Sequence, residues 1–227
     1  MKLILEKLSK SFDDMVVLKD FSLEVASDEI LGLVGTNGSG KTTVLFVTVG
    51  VCNQEFGRII LDGNSIDRLS VYERVSLGLL LVPQSLHQFW VVMHPRFYGF
   101  IAGITVFENV YDVFKSTNQT MEWLKTFGLE TVRDIQPCHL SWGQQQRLAL
   151  IRMCALKPNV LLLDESFSSV DWQTKRKLMT YVRQHIKLNH IATIYATSDI
   201  SEAKEFGDRI AIIEDGKIKM WGCQNGY

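Results

Sequence analysis

No window of this 227-residue chain reaches the roughly 18 uninterrupted apolar residues that a membrane-crossing helix needs. The nearest approach, Phe89 to Phe107, is broken by His94, Pro95 and Arg96. The N-terminal MKLILEKLSK has no long apolar core, so no signal peptide is expected. Neither sign of charge is in excess. Twenty-four Lys and Arg against 25 Asp and Glu leave a net charge of −1, which argues against non-specific nucleic-acid binding through a basic surface. Cys52, Cys138, Cys154 and Cys223 are scattered with no CxxC pair. A disulfide framework or thiolate metal site is therefore not expected, and a reducing cytosol is the simplest setting. His87, His94, His139, His185 and His190 show no ligand-like spacing and read as structural or surface residues. Internal repeats and low-complexity tracts are also missing.

What is present is an alternation of buried strands and helices. The first 30 residues alternate apolar and polar, the period of antiparallel strands with one exposed face. Glu29 to Val34, Arg58 to Gly63, Leu79 to Val82, Val160 to Asp164 and Ile191 to Ala196 read as short strands, most of them apolar runs. Helices are expected over Thr42–Val49, about 105–129, Gln144–Leu156 and Thr174–Leu188. RIAIIEDGKIKMWG reads as a hairpin with a tight Asp215-Gly216 turn. This order predicts an α/β fold with a mostly parallel core sheet. The alternating ends predict an added antiparallel β layer.

Two motifs carry chemistry. GTNGSGKT, Gly35 to Thr42, matches G-x-x-x-x-G-K-[ST] between a buried strand and a helix, the context this phosphate loop requires. Gly38 and Gly40 let the backbone turn its N–H groups onto one anion, and the helix adds its positive end. Lys41 supplies charge for the β- and γ-phosphates, and Thr42 a hydroxyl for Mg²⁺. VLLLDE ends a buried strand in Asp164 and Glu165. Buried carboxylates are costly unless paired or metal-bound. Asp164 suits Mg²⁺ held through water, and Glu165 suits proton acceptance from an attacking water.

These residues resemble the nucleotide-binding subunit of ATP-binding cassette transporters, over nearly the whole chain. GTNGSGKTT is similar to that family's Walker A loop, VLLLDE to its Walker B strand and LSWGQQQR (Leu140 to Arg147) to its signature. SSVD (Ser168 to Asp171) is similar to its D-loop. The resemblance implies a P-loop NTPase fold with a helical signature subdomain at about 85–157, inserted in a core of about 1–84 and 158–227. It implies ATP and Mg²⁺ as ligands. Phe12 would stack on adenine; Gly35, Asn37, Gly38, Ser39, Gly40, Lys41, Thr42 and Thr43 would hold the phosphates. Gln84 is the Q-loop glutamine and, with Thr42 and Asp164, would face the metal. Two cassettes, alike or different, would pack head to tail, so that Ser141, Gly143 and Gln144 reach the partner's nucleotide. A transmembrane permease subunit would place the chain on the inner face of the cell membrane. LSWGQ and TVFENV lean towards the branched-chain amino acid or lipopolysaccharide types.

Several positions depart from the pattern. Trp142 replaces a glycine of LSGGQ, which is either tolerated or weakens the dimer site. Ser166 replaces a proline and is expected to loosen that turn. The run from Gln84 to Val106 is longer than the family leads one to expect and rich in aromatics. It is a docking surface, a part of the domain's own core, or an interfacial membrane contact. Ser198, in ATSDISEA, stands where the family places a histidine facing the γ-phosphate. Thr197, Ser198 and Asp199 are all N-cap types, so Ser198 either makes a weak phosphate contact or only caps the next helix. Both readings predict slower hydrolysis. An ATP-gated switch with little turnover, working in a heterodimer, is the alternative to a motor.

Overall fold

The computed structural model describes residues 1–84, 100–168 and 170–223. Two sheets form its framework. The first is antiparallel, in the order β2-β1-β4-β5, built from β1 (Lys2–Phe12), β2 (Met15–Ala26), β4 (Phe56–Leu61) and β5 (Asn64–Ser65). Leu3, Leu5 and Leu8 of β1 and Leu18, Phe21, Leu23 and Val25 of β2 are buried, with more exposed residues between them, an alternation that the sequence displays and that shifts register near Leu8. The second sheet runs β10-β9-β3-β8-β7-β6. It comprises β3 (Ile30–Val34), β6 (Leu79–Val82), β7 (Val160–Asp164), β8 (Ala192–Thr197), β9 (Arg209–Glu214) and β10 (Lys217–Cys223). Every pairing in it is parallel except β9 with β10. Strands β3, β6, β7 and β8 are buried at every position, which is why they read as continuous apolar runs.

The C-terminal hairpin turns at Asp215 and Gly216, with φ of 49° and 72°, as an Asp-Gly turn of the primed type requires. It extends the core sheet through β9 beside β3 rather than joining the antiparallel layer. Its turn meets that layer instead: the Lys19 N–H donates to Gly216 O at 3.0 Å.

The helices are α1 (Lys41–Val49), α2 (Val71–Ser76), α3 (Val106–Phe114), α4 (Thr117–Thr126), α5 (Trp142–Ala155), α6 (Trp172–Leu188) and α7 (Ile200–Phe206). The helical stretch expected over 105–129 is broken in two. Lys115 takes a left-handed φ of 53°, and Ser116 caps α4 by accepting from the Gln119 N–H. Among the described residues no helix is long and apolar enough to cross a membrane. Residues 85–99 of the aromatic-rich run lie outside the described residues. At its end Phe100 is buried, and the amide of buried Asn109 exchanges hydrogen bonds with the Ile101 backbone, at 2.6 Å and 3.0 Å.

Candidate functional site

The parallel sheet explains how distant motifs meet. Strands β3, β8, β7 and β6 are neighbours in that order. The glycine loop follows β3, Ser198 follows β8, Asp164 ends β7 with Glu165 just after it, and Gln84 lies just after β6. All four therefore sit at one carboxyl edge, where α/β sheets bind ligands.

Helix α1 is capped by Gly40 at φ 105° with no side-chain hydrogen bond to its first turn. Among the described residues those N–H groups have no side-chain cap, an arrangement in which a helix N-terminus can take an anion. Gly38, at φ 82°, has open space around it. Lys41 is buried, and its ammonium donates to Gly35 O at 2.8 Å and Thr36 O at 3.0 Å. Burial lowers its pKa, opposed by the charges of Glu165 and Asp164. Ser39 Oγ is buried without a hydrogen-bond partner among the described residues.

The Thr42 hydroxyl donates to Asp164 Oδ2 at 2.9 Å. The other carboxylate oxygen, Oδ1, is buried with no hydrogen-bond partner among the described residues. Burial pushes the Asp164 carboxyl up to about 6; the Thr42 hydrogen bond and Lys41 oppose this, and Glu165 adds to it. Such a pairing of one orphaned carboxylate oxygen with a hydroxyl fits a hard cation that takes oxygen ligands. Among the described residues no cluster of three or more His, Cys, Asp or Glu could hold a metal alone.

Glu165 lies at a left-handed φ of 44°, uncommon for a non-glycine residue and a frequent mark of functional sites. Its N–H donates to Ala196 O at 2.9 Å, and its carbonyl accepts from the Ser168 N–H at 3.0 Å. Buried Gln146 of α5 also donates to that carbonyl, at 3.4 Å. Gln84 donates from Nε2 to Glu165 Oε2 at 3.1 Å. Ser166 does not leave this turn loose: its buried hydroxyl donates to Val82 O of β6 at 3.3 Å.

A cleft of about 430 Å³ is lined by Asn37, Gly38, Gly40, Lys41, Thr42, Thr43, Gln84 and Glu165, with Met15 and Val17 from β2. Those two apolar residues were not expected there; β2's turn beside the glycine loop brings them in. Phe12 is not among the lining residues. It is exposed, with the Lys10 ammonium 5.1 Å from its ring centre.

Ser141, Gly143 and Gln144 lie elsewhere, at the start of α5, and none lines this cleft. Ser141 Oγ accepts from the Gln144 N–H, and the Gln144 side chain accepts from the Ser141 N–H at 2.9 Å, a reciprocal cap. Trp142 turns partly inward and packs against the hydrophobic core.

A family model described as ABC transporter matches residues 18–168. The chain belongs to the ABC transporter family. This cassette is 33% identical over 98% of its length to a probable sulfate/thiosulfate import ATP-binding protein CysA of Chlorella vulgaris, of which it covers 91%. It is 31% identical to the sulfate/thiosulfate import protein CysA of Synechocystis, also over 98% of its length, and covers 61% of that protein. A putative 2-aminoethylphosphonate import ATP-binding protein of Salmonella paratyphi A is 33% identical over 97% of this chain and 58% of its own length. The cassette thus spans about three fifths of these bacterial relatives. The fold matches a bacterial ABC transporter cassette solved as a dimer, with TM-score 0.81 and 25% identity over 99% of this chain and all of the other. It also matches a dimeric cassette bound to ADP and Pi, with TM-score 0.79, 24% identity and the same coverage. These relatives carry import names for sulfate, thiosulfate and a phosphonate rather than the types towards which LSWGQ leaned.

The cassette places Ser198 exposed at the end of β8. It is not the helix cap. Asp199 caps α7, its side chain accepting from the Ser201 and Glu202 N–H groups. Its carboxylate, one residue nearer the helix, is in register with both donors.

Proposed function

We propose that this cassette is the ATP-binding subunit of a membrane importer. It binds Mg-ATP in the cleft, pairs head to tail with a second cassette, and passes the energy of hydrolysis to a transmembrane permease subunit. That subunit would hold it on the inner, cytoplasmic face of the membrane. Residues 1–84 and 158–227 form the nucleotide core, and about 85–157 the helical part that carries the signature. A small oxyanion is the cargo class, by likeness to the sulfate and phosphonate import relatives. One observation carries the reading: Lys41, the Thr42–Asp164 pair and the Gln84–Glu165 pair converge at the ends of adjacent strands.

The first-turn N–H groups of α1 and Lys41 hold the β- and γ-phosphates. Lys41 is already oriented by two loop carbonyls and keeps a third N–H for the ligand. Thr42 and Asp164, with Gln84, would hold Mg²⁺, which supplies charge neutralisation on the phosphate oxygens. Glu165 orients a water for in-line attack on the γ-phosphorus and accepts its proton. Gln84 holds the Glu165 carboxylate and passes its position to the permease side. Phe12, with Met15 and Val17, gives the base an apolar seat. Ser141 and Gly143 serve the partner's nucleotide, and the inward Trp142 ring leaves them accessible.

Ser198 offers the γ-phosphate one short neutral donor in place of an imidazole. Loss of a well-placed transition-state donor costs about 3 kcal/mol, or ~100-fold in rate. The test is phosphate release and Mg-ATP affinity for the wild type, Glu165→Gln and Ser198→His. Expected are similar affinities, wild-type turnover above the Glu165→Gln level, and a gain of up to ~100-fold for Ser198→His. Ser198 also motivates a second reading, an ATP-gated clamp in a heterodimer. Binding with wild-type turnover equal to Glu165→Gln selects the clamp. Failure to bind Mg-ATP sinks both.

A further inference from the structure

Glu202 is the centre of a hydrogen-bonded cluster just behind the Ser198 turn. It lies in α7, which packs so closely on β3 that a Cβ on Gly32 would sit 2.9 Å from that of Ala203. Its Oε2 accepts from the Tyr195 hydroxyl at 2.5 Å and the Thr197 hydroxyl at 3.1 Å. Its Oε1 accepts from the Lys175 ammonium. Thr197 Oγ1 in turn accepts from the Asp199 N–H at 3.1 Å. Ser198 is thus flanked by Thr197, whose hydroxyl the carboxylate holds, and by Asp199, whose N–H that same hydroxyl accepts.

The cluster is shielded. Tyr195 and Thr197 are buried, and the Lys175 and Glu202 side chains are only 18% and 14% exposed. Charge-assisted hydrogen bonds in such a place are strong and geometrically exacting. Burial, and then the Glu202 charge, raise the Tyr195 pKa far above that of an ordinary tyrosine, so its hydroxyl stays a donor. Lys175 is in the first turn of α6, whose cap Asp171 ends the SSVD segment. The Lys175–Glu202 pair therefore joins that segment to the Ser198 turn.

We propose that Glu202 is a positioning residue that fixes the Ser198 turn relative to the γ-phosphate and ties it, through Lys175, to the SSVD segment. This deepens the reading of Ser198 as a phosphate-facing donor and rests on it. A short serine side chain cannot compensate for a displaced backbone as a longer one can, so a held turn matters more here.

The test uses the full chain with Glu202→Ala, Glu202→Gln and Lys175→Met. Two quantities are read: amide hydrogen exchange at Asp199, and kcat against the Kd for Mg-ATP. Glu202→Ala is expected to speed Asp199 exchange and to lower kcat ~10- to 100-fold, the usual cost of a misplaced group, with Kd nearly unchanged. Glu202→Gln can accept from Lys175 and still hydrogen-bond the two hydroxyls, so it should recover most of both. Lys175→Met should fall between them. Unchanged Asp199 exchange in Glu202→Ala overturns the proposal. So does a loss of kcat matched by an equal rise in Kd and no rescue by Gln, since that marks a merely structural role. If the wild type shows no turnover, the hydrolysis reading fails on its own and the exchange comparison still decides the role of Glu202.

Discussion

Asp164 shows how one residue can carry a stability cost for a binding role. Its carboxyl is buried, one oxygen has no partner among the described residues, and burial pushes its pKa up to about 6 from an ordinary 3.8. Because the folded value is raised, protonated Asp164 favours the folded state. That contribution is fully present below about pH 4 and is lost as pH rises through about 6. Near neutral pH the folded chain then holds a desolvated anion at a cost of about 3 kcal/mol. Asp164→Asn removes the anion and can still accept from Thr42. It should raise the melting temperature of the ligand-free chain by ~5–10 °C at about pH 8, and by little at about pH 4. Mg-ATP should stabilise the wild type far more than this variant. Melting curves at the two pH values check both points; an equal gain at both would show that desolvation of the anion is not the cause.

At the scale of elements, three helices open with the same reciprocal cap: Ser70 with Glu73, Thr105 with Glu108, and Ser141 with Gln144. All three are S/T-x-x-E/Q boxes and were readable in the sequence. Only the last belongs to the signature. Thr105→Ala and Ser141→Ala should each cost about 1 kcal/mol of stability, measured by urea unfolding. Only Ser141→Ala should also slow ATP turnover, because its hydroxyl is proposed to serve the partner's nucleotide. An equal effect of both on turnover would reduce Ser141 to a cap. The break between α3 and α4 also had a legible cue, in the STNQ that begins at Ser116. The left-handed Lys115 before it had none, since lysine rarely adopts that conformation.

At the scale of the whole molecule, the cleft holds the phosphate loop and Glu165 but none of Ser141, Gly143 and Gln144. One chain therefore holds half of the arrangement proposed for each ATP. Mg-ATP with Glu165→Gln, which slows turnover, should shift the molar mass by light scattering from one chain to two. Adding Gly143→Arg, which puts a bulky cation on the proposed partner-facing surface, should return it to one. A monomer under saturating Mg-ATP counts against the head-to-tail pairing. Three cap-type residues stand in a row at Thr197, Ser198 and Asp199, so the sequence leaves the cap open to each, and only the α7 register assigns it to Asp199.

Features that depend on local pattern are legible in the residues alone. Buried strands showed as apolar runs, the phosphate loop as a fixed spacing of glycines and lysine, and the carboxylates as the polar end of a strand that is otherwise apolar. Such features arise from constraints within a few residues. Which strands are neighbours, and so why Gly35, Ser198, Asp164 and Gln84 share an edge, is set by the packing of the whole chain. Only the fold placed Met15 and Val17 in the cleft, anchored Ser166 to β6, and set Lys175, Tyr195 and Thr197 around Glu202. Most of these contacts join residues far apart in the chain, and the energies of all of them depend on distance and burial, which sequence spacing does not give.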